Sequence, residues 1–382
     1  MQRMKILLAG VVAGILFACS STRHPSATKQ RDELLIVLRK TNQYFMNKWP
    51  DAGKTIFTNI ERPSHIWTRS VYYEGLLALH AIDPRPAYLD YVQQWGDKHQ
   101  WGLRGGVRTR NADNQCCGQV YLDYFLLNGQ QHPEWIRDIQ ASIDSMRLTP
   151  KVDDWTWVDA LQMAMPVYAR LGRISGDTSY WQRMHEMYLH TRNRQGGSGL
   201  YNTMEHLWWR DKDFLPPYKE PNGGNCYWSR GNGWVVAALV RVMEQLPASH
   251  PFYAIYLQDY RDLLEALLPL QREDGFWNVS LADPTHFGGK ELTGTSLFIY
   301  GMAWGINRGL LDRDRYLPAI KKAWASLVKD CVHPDGSLGY VQGTGKEPKD
   351  GQPVSYDHYP DFEDYGLGCF LLAGTQIYQL KD

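Results

Sequence analysis

The chain has 382 residues, with 41 Lys and Arg against 41 Asp and Glu and a formal net charge of +0. That length suits one large domain or two, and the charge balance gives no sign of nucleic-acid binding, so any positive field must be local. Aromatic residues reach 13%, with 15 Trp and 23 Tyr, enough to line a carbohydrate site as well as a core.

The first residues read as a targeting segment. Arg3 and Lys5 form a basic n-region, Ile6 to Phe17 an apolar h-region, and Ala18-Cys19 a cleavage point. The apolar run is too short to span a membrane. Leu16-Phe17-Ala18-Cys19 resembles a bacterial lipobox. The expectation is a signal peptide over 1–18, a lipidated Cys19 with a polar tether over 19–29, and one catalytic domain over 30–382. The lipid anchor would be the sole membrane attachment, and no acidic cluster follows Cys19. An exported lipoprotein on the periplasmic face of the outer membrane is therefore expected.

Beyond the tether, six segments each begin with a small residue and continue as a helical apolar stripe. They start near Gly75, Gly118, Ala160, Gly233, Gly294 and Gly366. Amphipathic stretches separate them, at 30–47, 86–98, 133–146, 178–193, 252–270 and 314–330. Helices apolar nearly all round should be buried, and amphipathic ones should face solvent. Twelve helices alternating inner and outer predict an all-α fold, a toroid of six α-hairpins, with little strand-like alternation to favour a sheet. The five cysteines after Cys19 (116, 117, 226, 331 and 369) lack metal-binding spacing and read as buried free thiols. Neither a metal nor a cofactor is expected.

In such a toroid the starts of the inner helices share one mouth. The residues there are Trp67 and Arg69, Arg110 and Asp113, Trp155, Trp157 and Asp159, Trp228 and Arg230, Glu291 and Thr293, and Asp361 and Asp364. Together they predict a polar, aromatic cavity. Asp159 is a lone carboxylate in the apolar run Trp157-Val-Asp-Ala-Leu-Gln-Met163. Desolvation there raises its pKa, as a general acid requires, though a helix N-cap is the plainer alternative. Asp113 offers a second carboxylate or another cap. Arg230 has the planar fork that pairs with a sugar carboxylate, or else it is buried against a carboxylate at the mouth. His206, in Glu205-His-Leu-Trp-Trp209, is either a ligand contact or a structural histidine. The glycines of Trp228-Ser-Arg-Gly-Asn-Gly-Trp234 permit close backbone approach, and Trp67, Trp228 and Trp234 offer flat faces to a sugar ring.

At these residues the chain resembles the unsaturated rhamnogalacturonyl hydrolases of glycoside hydrolase family 105, relatives of the unsaturated glucuronyl hydrolases. The resemblance is carried by Trp228-Ser-Arg-Gly-Asn-Gly-Trp234, Ala112-Asp113 with Gly118-Gln-Val-Tyr-Leu122, and Trp157-Val-Asp-Ala-Leu-Gln-Met163. Glu291-Leu-Thr-Gly-Thr-Ser296 and Gly366-Leu-Gly-Cys-Phe-Leu-Leu-Ala373 extend it over about residues 35–380. It implies a metal-free six-hairpin fold that removes a terminal 4,5-unsaturated uronic acid from lyase-generated oligosaccharides. Asp159 would protonate C4 and activate a water for C5, with Asp113 in support. His206, Arg230 and Trp234 would line the sugar pocket. Asn114-Gln115-Cys116 departs from the family's more polar run after Asp113. An ordinary glycosidase or epimerase on the same toroid is the nearest rival, and a non-enzymatic glycan-binding lipoprotein the rival from another class.

Overall fold

A computed structural model of the protein describes residues 27–57, 60–357 and 364–381. The expected signal peptide, Cys19 and Asp361 lie outside the described residues. In chain order the helices are α1 (Ala27–Lys48), α2 (Trp67–Ile82), α3 (Pro86–Lys98), α4 (Ala112–Gln115), α5 (Cys117–Leu127), α6 (Arg137–Arg147) and α7 (Asp159–Ser175). They continue as α8 (Ser179–Asn193), α9 (Ser229–Met243), α10 (Pro251–Leu267), α11 (Leu292–Asn307), α12 (Arg313–Cys331) and α13 (Asp364–Tyr378). A two-stranded antiparallel ribbon, β1 (Ile56–Phe57) and β2 (Glu61–Arg62), precedes α2. Apart from the single turn α4, these are the twelve helices expected, although α1 begins at Ala27, inside the expected tether.

Six of them form the inner ring. α2 packs on α5, α5 on α7, α7 on α9, α9 on α11 and α11 on α13, and α13 closes back on α2. Their apolar composition accounts for their place: every residue of α9 is buried, as is all of α11 from Leu292 to Gly305. The outer helices bury one stripe only. In α10 it is Tyr256, Asp259, Tyr260, Leu263, Leu264 and Leu267, spaced three and four residues apart.

The glycines that open the apolar stripes set how closely the inner helices approach. A Cβ on Gly368 would fall 2.2 Å from the Val71 carbonyl oxygen, and one on Gly294 would fall 2.1 Å from Ser229 Oγ. The α2–α13 seam also holds a buried ion pair, Arg69 Nε to Asp364 Oδ2 at 2.6 Å. Polar side chains occupy the ring's interior in pairs: Gln162 donates to Glu74 (2.8 Å) and Arg241 to Gln119 (2.9 Å), while Arg170 binds Asp123. All five described cysteines are buried free thiols.

Candidate active site

The starts of α2, α7 and α9 meet at one mouth together with α4, while no described residue of α11 or α13 lines it. The cavity there has a volume of about 380 Å³, within the range of small-ligand sites. Both acids line it, Asp113 and Asp159, together with Trp67, Trp157, Trp228, Trp234 and four arginines, Arg62, Arg104, Arg210 and Arg230.

Asp159 is the first residue of α7 and does not cap it; Val158 holds that position. Its side chain is fixed by a neighbouring loop. Trp157 pairs with Asp211 in an isolated antiparallel bridge, and the Val158 N–H donates to the Arg210 carbonyl (2.9 Å). This lays Arg210 against the acid: its Nε and Nη2 reach Asp159 Oδ2 at 3.3 and 3.1 Å, while Nη1 binds Asp211 Oδ2 at 2.7 Å. Asp159 Oδ1 is buried and makes no hydrogen bond. Burial raises the Asp159 pKa, and the charges of Arg210 and Arg230 only partly offset it. The site thus holds a carboxyl group that keeps its proton more readily than a solvated Asp, with one oxygen tethered and the other unpaired.

Asp113 sits in α4, whose cap is Asn111, through a hydrogen bond from the Asn114 N–H. The capping alternative is therefore excluded for both acids. The Asp113 pKa is raised to about 6, first by burial and then by the charge of Asp159, against the opposing charges of Arg210 and Arg104. A carboxylate whose folded pKa lies above its unfolded one costs stability at high pH. The cost is full above about pH 6 and gone below the unfolded pKa near 4. Asp113→Asn is therefore expected to stabilise the fold at pH 8 by about 1–3 kcal/mol, after solvent screening of a half-buried group. The gain should vanish by pH 4, as thermal melts at the two pH values would reveal. An equal gain at both would mean that ionisation of Asp113 is not its source.

The Trp228–Trp234 motif builds the opposite wall. Trp228 and Trp234 are almost wholly buried with an edge on the cavity, and Trp234 meets Trp67 edge to face at 6.2 Å. Asn232 pins the neighbouring loop, donating to the Trp208 carbonyl (3.1 Å) and accepting from the Trp208 N–H (2.9 Å). Arg230 is buried at the cavity wall without an ion pair among the described residues. Its guanidinium lies 4.5 and 5.1 Å from the Trp228 and Tyr365 rings and donates to the main-chain carbonyls of Gln342 (2.7 Å) and Gly343 (2.8 Å). Its fork pairs with no carboxylate among the described residues and instead anchors the segment whose next residues, Thr344 and Gly345, line the cavity.

Four further residues expected at the mouth do not line the cavity. His206 is not among the residues lining the cavity. It sits at the tip of a turn closed by the Tyr201–Trp208 bridge, with Nδ1 2.8 Å from the Tyr201 hydroxyl and 4.0 Å from Asp262 of α10. The side chain this loop delivers to the acid is Arg210. Glu291 is also absent from the cavity wall: fully buried, it caps α11 by accepting from the Thr293 and Gly294 N–H groups at 2.8 and 2.7 Å. Arg110, expected at the mouth, pairs with Asp154 at 2.8 Å, and Trp155 is buried against Tyr168.

Comparison with known proteins places this arrangement. Two curated relatives are both named unsaturated 3S-rhamnoglycuronyl hydrolase. The one from Formosa agariphila is 31% identical over 83% of this chain and 85% of its own. The one from Alteromonas sp. (strain LOR) is 34% identical over 81% of this chain and 77% of its own. A solved family 88 hydrolase from Bacteroides vulgatus is 30% identical with a TM-score of 0.81, covering 91% of this chain and 99% of that one. A second structure, described as a polysaccharide lyase, is 28% identical with a TM-score of 0.82, over 91% and 97%. The model of Glycosyl Hydrolase Family 88 matches residues 37–381. With the match spanning the whole ring of helices and both acids at its mouth, the chain belongs to glycosyl hydrolase family 88.

Proposed function

We infer that the protein removes a terminal 4,5-unsaturated uronic acid from lyase-generated oligosaccharides by hydrating the C4–C5 double bond. The observation that carries this is Asp159: a buried carboxyl of raised pKa, held through Oδ2 by Arg210 and free at Oδ1, beside a second acid. A vinyl ether needs an acid able to protonate carbon, and a carboxyl whose pKa is raised by burial suits that task. Asp159 delivers its proton to C4, and the double-bond electrons form the new C–H bond. The cation left at C5 is shared with the ring oxygen. Water adds at C5 and gives up a proton to the Asp159 carboxylate, restoring the acid. The resulting hemiketal opens between C5 and the ring oxygen, and the hemiacetal then exposed at C1 releases the remaining saccharide with its own oxygen. Asp113, whose charge is coupled to that of Asp159, orients the water and ring hydroxyls. Trp67, Trp228 and Trp234 supply apolar faces for the ring.

The names of the two relatives support a finer proposal, that the sugar released is a rhamnose carrying a 3-sulfate. The lyase description of one similar structure supports a second reading, in which the same mouth performs β-elimination. The two readings have opposite optical signs. Hydration consumes the ultraviolet absorbance of the double bond, one equivalent per saccharide released, whereas elimination on a saturated uronide creates it. A glycan-binding protein leaves it unchanged. We also propose export and lipidation at Cys19, on the strength of residues 1–29 alone. Cys19→Ser should abolish fatty-acid labelling and membrane association, and retention of both would refute the anchor.

A further inference from the structure

We propose that Arg104 binds the carboxylate of the terminal unsaturated uronide. The proposal rests on the uronide reading above and adds the group that recognises the substrate's charge. Four described arginines line the cavity, and three are engaged elsewhere. Arg210 is divided between Asp159 and Asp211, and Arg230 is turned to the Gln342 and Gly343 carbonyls. Arg62, at the end of β2, has interactions of its own. Arg104, half-buried in the loop between α3 and α4, is the cavity-lining arginine for which no hydrogen bond or ion pair exists among the described residues.

The loop itself presents this side chain. Gly105 and Gly106 follow it at φ +85° and +72°, a conformation that favours glycine. The Gly106 N–H donates to the Leu103 carbonyl (2.9 Å) and the Thr109 N–H to the Gly106 carbonyl (3.0 Å). The result is a compact turn with Arg104 at its corner, directed to the mouth.

Substrate chemistry fixes where such a cation must sit. In a 4,5-unsaturated uronide the carboxylate carbon is bonded to C5, the atom that water attacks, so its partner must lie beside the acids. Arg104 meets that condition, lining the same cavity as Asp113 and Asp159. An uncommitted guanidinium also has the geometry to take a carboxylate through two parallel N–H bonds.

The test compares Arg104→Gln with the parent enzyme on an unsaturated uronyl disaccharide as the free acid and as its methyl ester, each with and without a sulfate on the second sugar. Loss of a charge-assisted contact should lower kcat/KM on the free acid by about 10- to 100-fold. Activity on the methyl ester should be unchanged, so the preference for acid over ester disappears. Arg104→Lys should recover part of it. Thermal stability should stay close to the parental value, because no described partner is lost, and this separates a binding role from a structural one. An acid-to-ester ratio equal to that of the parent overturns the proposal. A loss confined to the sulfated substrates also overturns it, since Arg104 would then hold the sulfate. A parent enzyme inactive on every unsaturated uronide would instead defeat the function on which the proposal rests.

Discussion

Asp159→Asn is expected to lower kcat by about 10²–10⁴-fold, the usual worth of a positioned general acid–base group, with the fold intact. The amide is nearly isosteric but cannot give a proton to C4 or take one from water. The substitution does not strand Arg210, whose Nη1 keeps its 2.7 Å bond to Asp211. It also removes a carboxyl that burial makes reluctant to ionise, so stability should not fall. Turnover and thermal melting of the same preparation test the two halves together. Near-parental turnover would remove Asp159 from the chemistry. Lost turnover with a collapsed melting temperature would make its role structural.

The largest stability effect is expected at the seam that closes the ring. Arg69 and Asp364 are both fully buried, joined at 2.6 Å across α2 and α13, and the guanidinium lies 5.1 and 5.0 Å from the Phe45 and Trp49 rings. Arg69→Ala leaves the Asp364 carboxylate buried without its cation, a change worth about 3–5 kcal/mol, or about 4–6 °C in Tm for a chain of this size. Replacing the pair together, as Arg69→Met with Asp364→Leu, should restore much of that loss, because the penalty comes from the orphaned charge. Neither residue lines the cavity, so KM of the folded fraction should hold. A single variant that melts within a degree or two of the parent would contradict the claim that the pair secures ring closure.

The helices and the two acids that line the mouth were legible in the sequence because both are local signals. Apolar stripes at helical spacing identified the inner ring, and the glycine opening most stripes is now explained by contacts such as Gly75 against the Gly368 carbonyl. Asp159 stood out as a carboxylate inside an apolar run, an anomaly that needs no tertiary information. What was missed depends on distant pairing. His206 and Arg210 lie four residues apart in one loop, and only the bridge between Trp157 and Asp211 decides which of them faces the acid. The partners of Arg230 are main-chain carbonyls at 342 and 343, invisible to a search for an opposite charge. Glu291 had the composition of a mouth residue, but its two oxygens serve the N–H groups of its own helix. Arg104 left only the faint trace of a Gly-rich turn, because a side chain without partners among the described residues leaves no pattern in sequence.

Hydration of the double bond is tested most directly by running the reaction in D₂O and reading the released uronic acid by NMR at early times. Protonation by Asp159 places one deuteron at C4, on a single face of the ring, as the vinyl signal and its absorbance disappear in step with release of the second sugar. Free unsaturated uronic acid, with its double bond intact and C4 undeuterated, appearing while the second sugar is released would establish displacement at C1 and contradict the hydration mechanism.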